Sequence, residues 1–241
     1  MKFACVLFFS AALLFSPVLM SGSSNKLGAE VKRSVNYNNA ALSASAEVLY
    51  DSLNLQNFGL NERAFQYAWK GFLQLAEKGE LTNTDYFTIC DFSQSSKNKR
   101  FYIIDLMGMR VLKNTYVAHG RNSGGEFAQS FSNRPESHKS SLGFYVTGST
   151  YSGKYGLSLE IKGLEKGIND KAYARRIVMH GAQYIGDNYL MNNPFSGRSY
   201  GCPAIPLEER DEIINTIKDG TCLFIYHPSK LYISKSKILN G

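Results

Sequence analysis

Hydrophobic and polar positions follow two different periods along the chain. From about Asn39 to Leu53, and again after Asn61, apolar residues recur at spacings of three and four, which predicts two amphipathic helices. Asn61 is suited to cap the second helix, and Gly79 is suited to end it. Residues 24 to about 37 are polar and have no period. We therefore expect a flexible lead-in and a helical pair over residues 24–80, which either brace the domain or form one side of a groove.

From Tyr86 the pattern changes to that of β-strands, rich in β-branched and aromatic residues and separated by glycine-rich or polar loops. A helix is predicted over Pro206 to Asp219, with Gly220 as its stop. The predicted fold is therefore mainly β with helical additions (α+β), and its β-rich domain covers residues 81–241. The predicted strands are 86–92, 100–106, 110–117, 142–148, 157–162, 175–180 and 221–227.

The first residues have the layout of a secretory signal peptide. Lys2 precedes a run from Phe3 to Met20 that is almost entirely apolar, and small residues follow it. The alternative is an uncleaved anchor, but Pro17 and the small residues favour cleavage. We expect residues 1–23 to be removed and the chain to be exported to the periplasm or cell envelope, with no stable membrane span after cleavage.

Composition is that of a globular protein with a basic balance. The chain is 44% hydrophobic and 20% charged, and its formal net charge is +7. A positive charge favours an anionic setting such as a cell wall. The basic residues are scattered and the chain carries an export signal, so we expect no nucleic-acid partner.

Three cysteines remain after the predicted leader, which is an odd number for an oxidising compartment, so at least one should be a free thiol. Cys90 and Cys222 lie in apolar strand patterns and are typical small core residues, which can pair with each other if their strands are neighbours. Cys202 differs because glycine, serine and proline surround it.

A predicted strand ends at His180-Gly181, and a loop then leads to Gly201-Cys202. A nucleophilic cysteine needs a base within hydrogen-bond reach and reacts as the thiolate, whose formation a neighbouring imidazolium favours. The pattern predicts Cys202 as nucleophile and His180 as base. The backbone amides of Tyr200, Gly201 and Cys202 are candidates for binding a developing oxyanion. The alternative is a buried strand-end histidine and an unrelated buried cysteine.

The two segments His180-Gly181 and Ser199-Tyr200-Gly201-Cys202 resemble the signature of the L,D-transpeptidases with a YkuD-like catalytic domain. Tyr200 stands where the common pattern has a second histidine. With Tyr200 at that position, and with its segments 117–124 and 140–143, the sequence resembles one branch of this family. That branch is described as the murein L,D-transpeptidase catalytic domain. The resemblance covers about residues 86–228.

The resemblance implies a β-rich catalytic fold that acts on peptidoglycan stem peptides without a cofactor. In it, the Cys202 thiol attacks the carbonyl after an L-configured centre, and the thioester passes to an amine of a second stem or to water. His180 is implied as the base, and the carbonyl of Gly181 orients its imidazole as a carboxylate does in a serine triad.

Other polar residues complete the predicted site. Arg198 and Arg121 are candidates for binding a substrate carboxylate, and His119 for lining the cleft or capping a strand end. Ser199 is expected to hydrogen-bond near the cysteine. We predict no metal site, because the four histidines are scattered and no zinc signature is present.

Three other readings compete with this one. A sortase-like transpeptidase would use Arg210 as a catalytic residue, although Arg210 falls in a charged helical stretch where a solvated residue is typical. An L,D-carboxypeptidase would use water as the acceptor. A non-catalytic wall-binding protein would have kept the fold and lost activity, with Tyr200 as its strongest support.

Overall fold

The computed structural model describes residues 39–241 of the 241-residue chain. The expected leader and the expected lead-in lie outside the described residues. Within residues 39–241, no helix is long and apolar enough to cross a membrane.

The predicted helical pair is present. Helix α1 spans Asn39–Ser52, a 3₁₀ turn spans Leu55–Phe58, and α2 spans Glu62–Glu77. Asn61 caps α2 as predicted, because its side chain accepts a hydrogen bond of 3.1 Å from the backbone N–H of Ala64.

Eight strands form one mixed sheet in the order β3-β2-β1-β8-β4-β5-β6-β7. The β1–β8 and β6–β7 pairs are parallel and the other pairs are antiparallel. This confirms the mainly β fold with helical additions. The strands are β1 Tyr86–Asp91, β2 Phe101–Asp105, β3 Arg110–Thr115, β4 Gly143–Gly153, β5 Gly156–Gly163, β6 Val178–Ala182, β7 Ala204–Pro206 and β8 Cys222–Tyr226.

Two features differ from the sequence prediction. Strand β7 has only three residues, too few for a periodic signal, and Pro206 ends this strand instead of opening the helix. The predicted late helix is a 3₁₀ turn followed by an α-helix. The remaining helical elements are α3 Asp187–Leu190, the 3₁₀ turn Leu207–Glu209, α4 Arg210–Ile217, α5 Lys230–Lys235 and α6 Lys237–Asn240.

Helix α2 packs directly on the sheet. A Cβ at Gly71 would lie 2.0 Å from the ring of Phe144 on β4, so only glycine allows this approach. The rings of Phe72 and Phe87 are 5.1 Å apart at their centroids and belong to the same core as the sheet. Of the two predicted roles, this contact supports that of a brace.

Cys90 and Cys222 lie on neighbouring strands but do not pair. The register sets Phe87 opposite Cys222 and Cys90 opposite Ile225, so the two cysteines are three residues out of step. Strand spacing then separates their Cα atoms by about 11 Å, and a disulfide needs less than about 7 Å. All three cysteines in the described chain are free.

Candidate active site

The parallel pair β6–β7 brings the two predicted catalytic segments together. His180 of β6 lies opposite Ala204 of β7, and Cys202 comes two residues before Ala204. The chain therefore enters β7 directly opposite His180, two residues after Cys202. The long loop predicted between them therefore returns the cysteine to the histidine.

The imidazole of His180 is buried and held in one orientation. Its Nδ1 lies 3.0 Å from the carbonyl oxygen of Gly181. A carbonyl only accepts, so Nδ1 carries the proton and Nε2 keeps its lone pair. Burial lowers the pKa of His180, and the Gly181 carbonyl opposes this shift. A Cβ at Gly181 would lie 2.8 Å from Cδ of Arg210, so any larger residue at position 181 would clash with this side chain.

The thiol of Cys202 is half-buried. Its Sγ lies 3.8 Å from the carbonyl oxygen of Arg176, and within the described chain no hydrogen bond joins it to His180. Burial raises the pKa of Cys202, while the backbone N–H of Val178 and the charge of Arg175 act in the opposite direction. The sequence suggested a thiolate favoured by an imidazolium. Burial instead favours the uncharged forms of the Cys202 thiol and the His180 imidazole, which suits general-base activation of the thiol.

Ser199 fixes the loop that carries the thiol. Its hydroxyl accepts a hydrogen bond of 3.0 Å from the N–H of Gly201 and donates one of 2.6 Å to the carbonyl of Cys202. Gly201 has a φ of 122° and packs against the carbonyl of Lys139. The N–H of Gly201 is thus engaged inside the loop, which differs from the prediction that it faces an oxyanion.

Tyr200 lies on the surface beside the loop. Its ring packs edge-on against His138 at 4.7 Å, and the guanidinium of Arg121 lies 5.6 Å from its centroid. Arg121 and Arg198 are both exposed, and Arg198 donates to the carbonyl of Gly124 at 3.1 Å.

His119 does not line the open cleft. Its side chain is fully buried, and its Nδ1 lies 2.8 Å from the guanidinium of Arg100, which is also buried. Burial, with the charge of Arg100 second, lowers the pKa of His119 to about 3. Its predicted place among the substrate-binding residues is therefore corrected to a structural one beneath the loop.

Tyr155, in the turn between β4 and β5, was not found by sequence reasoning. Its ring stacks on the imidazole of His180, with centroids 4.5 Å apart and planes 18° apart. Arg210 donates to the carbonyl of Tyr155 at 3.2 Å and to Asp211 at 2.7 Å. The residue that the sortase-like alternative needs is thus engaged in holding this turn.

Arg175 was also missed. Its guanidinium donates to backbone and side-chain oxygens of the 132–141 loop, and its charge favours the Cys202 thiolate. Arg176, its neighbour, has a φ of 56°, and the strand expected from residue 175 begins only at Val178. No sequence signal distinguishes one arginine from the other. Among the described residues, no group of three or more histidine, cysteine, aspartate or glutamate side chains is placed to hold a metal.

Solved structures that match the chain include an L,D-transpeptidase from Mycobacterium smegmatis, with 8% identity and a TM-score of 0.37 over 60% of each chain. L,D-transpeptidase 3 from Mycobacterium tuberculosis matches with 12% identity and a TM-score of 0.39. The match covers 60% of this chain and 62% of that one. The helical cell shape determining protein Pgp2 from Campylobacter jejuni matches with 15% identity and a TM-score of 0.36. The match covers 67% of this chain and 57% of that one. The chain thus spans about three fifths of the length of these proteins.

No curated protein matches the chain in sequence. The family model described as the L,D-transpeptidase catalytic domain matches residues 56–226, which include α2, the sheet and both predicted catalytic segments. The assignment depends on this match and not on the low structural scores. The chain belongs to the family of the L,D-transpeptidase catalytic domain.

Proposed function

We propose that this protein is a peptidoglycan L,D-transpeptidase in which Cys202 is the nucleophile and His180 its base. The family implies an enzyme of the transferase type. The observation that carries the assignment of residues is the β6–β7 register, which sets the Cys202 loop beside an imidazole whose Nδ1 is bound by the Gly181 carbonyl.

In the acylation step, Nε2 of His180 takes the proton of the Cys202 thiol as the sulfur attacks the stem-peptide carbonyl. The tetrahedral oxyanion then collapses, the C–N bond breaks, and the leaving amine takes the proton from the imidazolium. The backbone N–H of Tyr200, which has no acceptor among the loop hydrogen bonds of the described chain, is our candidate for an oxyanion donor.

In the transfer step, the amine of the acceptor attacks the thioester carbonyl and gives its proton to His180. The C–S bond breaks and the thiolate of Cys202 is reprotonated. Water in place of the amine gives the L,D-carboxypeptidase reaction through the same acyl-enzyme. The proposed setting is the periplasm or cell envelope after removal of residues 1–23, with residues 81–241 as the catalytic domain.

The first test is the selectivity of thiol modification. After brief alkylation of the folded protein, peptide mass spectrometry should find the label on Cys202 and not on Cys90 or Cys222, whose side chains are fully buried. Cys202→Ala is the matched control and should take no label. An unlabelled Cys202 in the native protein contradicts the assignment.

The second test separates the possible outcomes of catalysis. Incubation with purified tetrapeptide muropeptides should give cross-linked dimers, and all product should be lost in Cys202→Ala. Shortened stems without dimers would identify the carboxypeptidase. If neither product forms and Cys202→Ala binds cell walls as the native protein does, the chain is a wall-binding protein.

A further inference from the structure

The guanidinium of Arg175 holds the loop 132–141 against the segment that leads into β6. It donates four hydrogen bonds of between 2.6 and 3.3 Å, to the carbonyls of Ser132 and Lys139 and to the hydroxyls of Ser137 and Ser141. Two of these acceptors belong to the backbone, so the bonds fix the path of the loop as well as its side chains. A planar guanidinium with five donors is suited to hold several acceptors in one geometry.

The same loop supports the residue that precedes the thiol. The hydroxyl of Ser140 donates to the carbonyl of Gly201 at 3.3 Å. A Cβ at Gly201 would lie 2.9 Å from the carbonyl oxygen of Lys139 and 3.2 Å from a terminal nitrogen of Arg175. These two atoms form a hydrogen bond of 2.6 Å with each other. Gly201 therefore rests on the bond between Arg175 and Lys139, and Cys202 follows it directly in the chain.

Arg175 also carries a charge without a carboxylate partner. It takes part in none of the ion pairs within residues 39–241. A guanidinium stays protonated in proteins, so its charge favours the thiolate and opposes the burial that raises the pKa of Cys202. Tyr184 also lies near the thiol, but burial raises its pKa, so it stays neutral at neutral pH.

We propose that Arg175 is a positioning residue for the nucleophile. It holds the loop on which Gly201 rests, which fixes the place of the Cys202 sulfur, and it supplies a positive charge that stabilises the thiolate. Within residues 39–241 no hydrogen bond joins Arg175 to the sulfur, so it acts through the loop and through its charge. The inference rests on the proposed function, since it concerns the reactivity of the nucleophile in that reaction.

The test is the rate of Cys202 alkylation as a function of pH, measured on the folded protein by quenched peptide mass spectrometry. Arg175→Gln removes the charge and most of the hydrogen bonds. It should lower the rate at neutral pH about tenfold and move the midpoint of the pH profile up by about one unit, because the thiolate loses a stabilising charge.

Two further variants separate the charge from the hydrogen bonds. Arg175→Lys keeps a positive charge but loses the fork of donors, so its midpoint should stay near that of the native protein while its rate remains lower. Ser141→Ala removes one acceptor, at 2.6 Å from the guanidinium, and leaves the charge in place. It should lower the rate and leave the midpoint unmoved.

The matched control is Arg134→Gln, which removes an exposed charge from the same loop and should react as the native protein does. Urea denaturation shows whether each variant is folded in the assay. Should Arg175→Gln prove unfolded, Ser141→Ala decides, and an unchanged alkylation rate in that variant overturns the positioning role.

The proposal is also overturned if Arg175→Gln is alkylated at the native rate with an unmoved midpoint, or if Arg134→Gln loses as much. Either result, with a reactive Cys202 in the native protein, leaves the proposed function intact. An unlabelled Cys202 in the native protein refutes the proposed function instead, so the two failures are distinguishable.

Discussion

Two His-Gly pairs flank the same strand and have opposite surroundings. Ala204 of β7 pairs with His180 on one side, and on the other it forms an antiparallel bridge with Ala118, which precedes His119. The His119 ring lies against the buried Arg100, whereas the His180 ring lies under the partly exposed Tyr155 and binds the Gly181 carbonyl.

Both histidines are followed by glycine, so the His-Gly sequence alone does not determine which histidine can act as a base. Arg100 occupies Nδ1 of His119 as a donor, so the ring presents Nε2–H to the carbonyl of Gly124 at 3.4 Å and has no free lone pair. In His180 the carbonyl of Gly181 occupies Nδ1 as an acceptor, and the lone pair remains on Nε2. Opposite partners at Nδ1 therefore give opposite tautomers, and only one of them can act as a base.

The largest effect should separate the two histidines by activity. His180→Gln removes the proposed base and should lower the rate of Cys202 acylation by about 10²- to 10⁴-fold. His119→Gln should change this rate far less, because its amide can accept from Arg100 and donate to Gly124. Stopped-flow or quenched mass spectrometry of the acyl-enzyme measures both rates. Equal losses in the two variants would contradict the assignment of the base.

Stability should rank the two histidines in the opposite order, with the larger loss for the His119 variant. His119→Leu leaves the buried guanidinium of Arg100 without one acceptor, which should lower the free energy of unfolding by about 2–3 kcal/mol. His180→Leu should lower it less, since the Gly181 carbonyl is the one hydrogen-bond partner its ring loses. Urea denaturation at neutral pH gives both values. A larger loss for His180→Leu would oppose this comparison.

The stability of the folded chain should depend on pH through His119. The pKa of His119 is about 3 in the folded chain, against about 6.5 when unfolded. Between these values only the unfolded chain binds the proton, so stability is present above pH 6.5 and falls on acidification towards pH 3, by about 1.4 kcal/mol per pH unit. His119→Gln keeps the hydrogen bonds and cannot titrate, so its denaturation midpoint should vary less over this range. Parallel curves for the two proteins would exclude His119 as the cause.

The smallest effect concerns Tyr155, which covers His180. Tyr155→Leu removes the stacked ring, and exposure to water should raise the pKa of His180 towards its ordinary value. The acid limb of the acylation rate should therefore move to higher pH, by up to about one unit. Tyr189→Leu, also near the surface but without a stacking contact to His180, is the matched control. An unmoved acid limb would show that the rest of the site alone controls burial of His180.

Sequence reasoning recovered the elements with strong periods and missed the short ones. The cap at Asn61 and seven of the eight strands follow from local patterns. Strand β7 and the two C-terminal helices have six residues or fewer, too few for periodicity to identify. The late helix was misplaced at its start because Pro206 suits a helix opening as well as a strand end.

Some residues of the candidate site could be predicted from the sequence, and others could not. Cys202 and His180 could be singled out because glycines and small polar residues around them depart from the apolar pattern of the core cysteines. Tyr155 and Arg175 could not, because each joins the site from a segment distant in sequence from Cys202.

The sequence by itself determined which thiol is set apart, the family to which the chain belongs, and the alternation of strands. These depend on residue types at short spacings. Tertiary structure decided that His119 is structural and that Cys90 and Cys222 do not pair. The physical reason is that burial, strand register and the charge on a neighbouring side chain arise only when distant segments pack together.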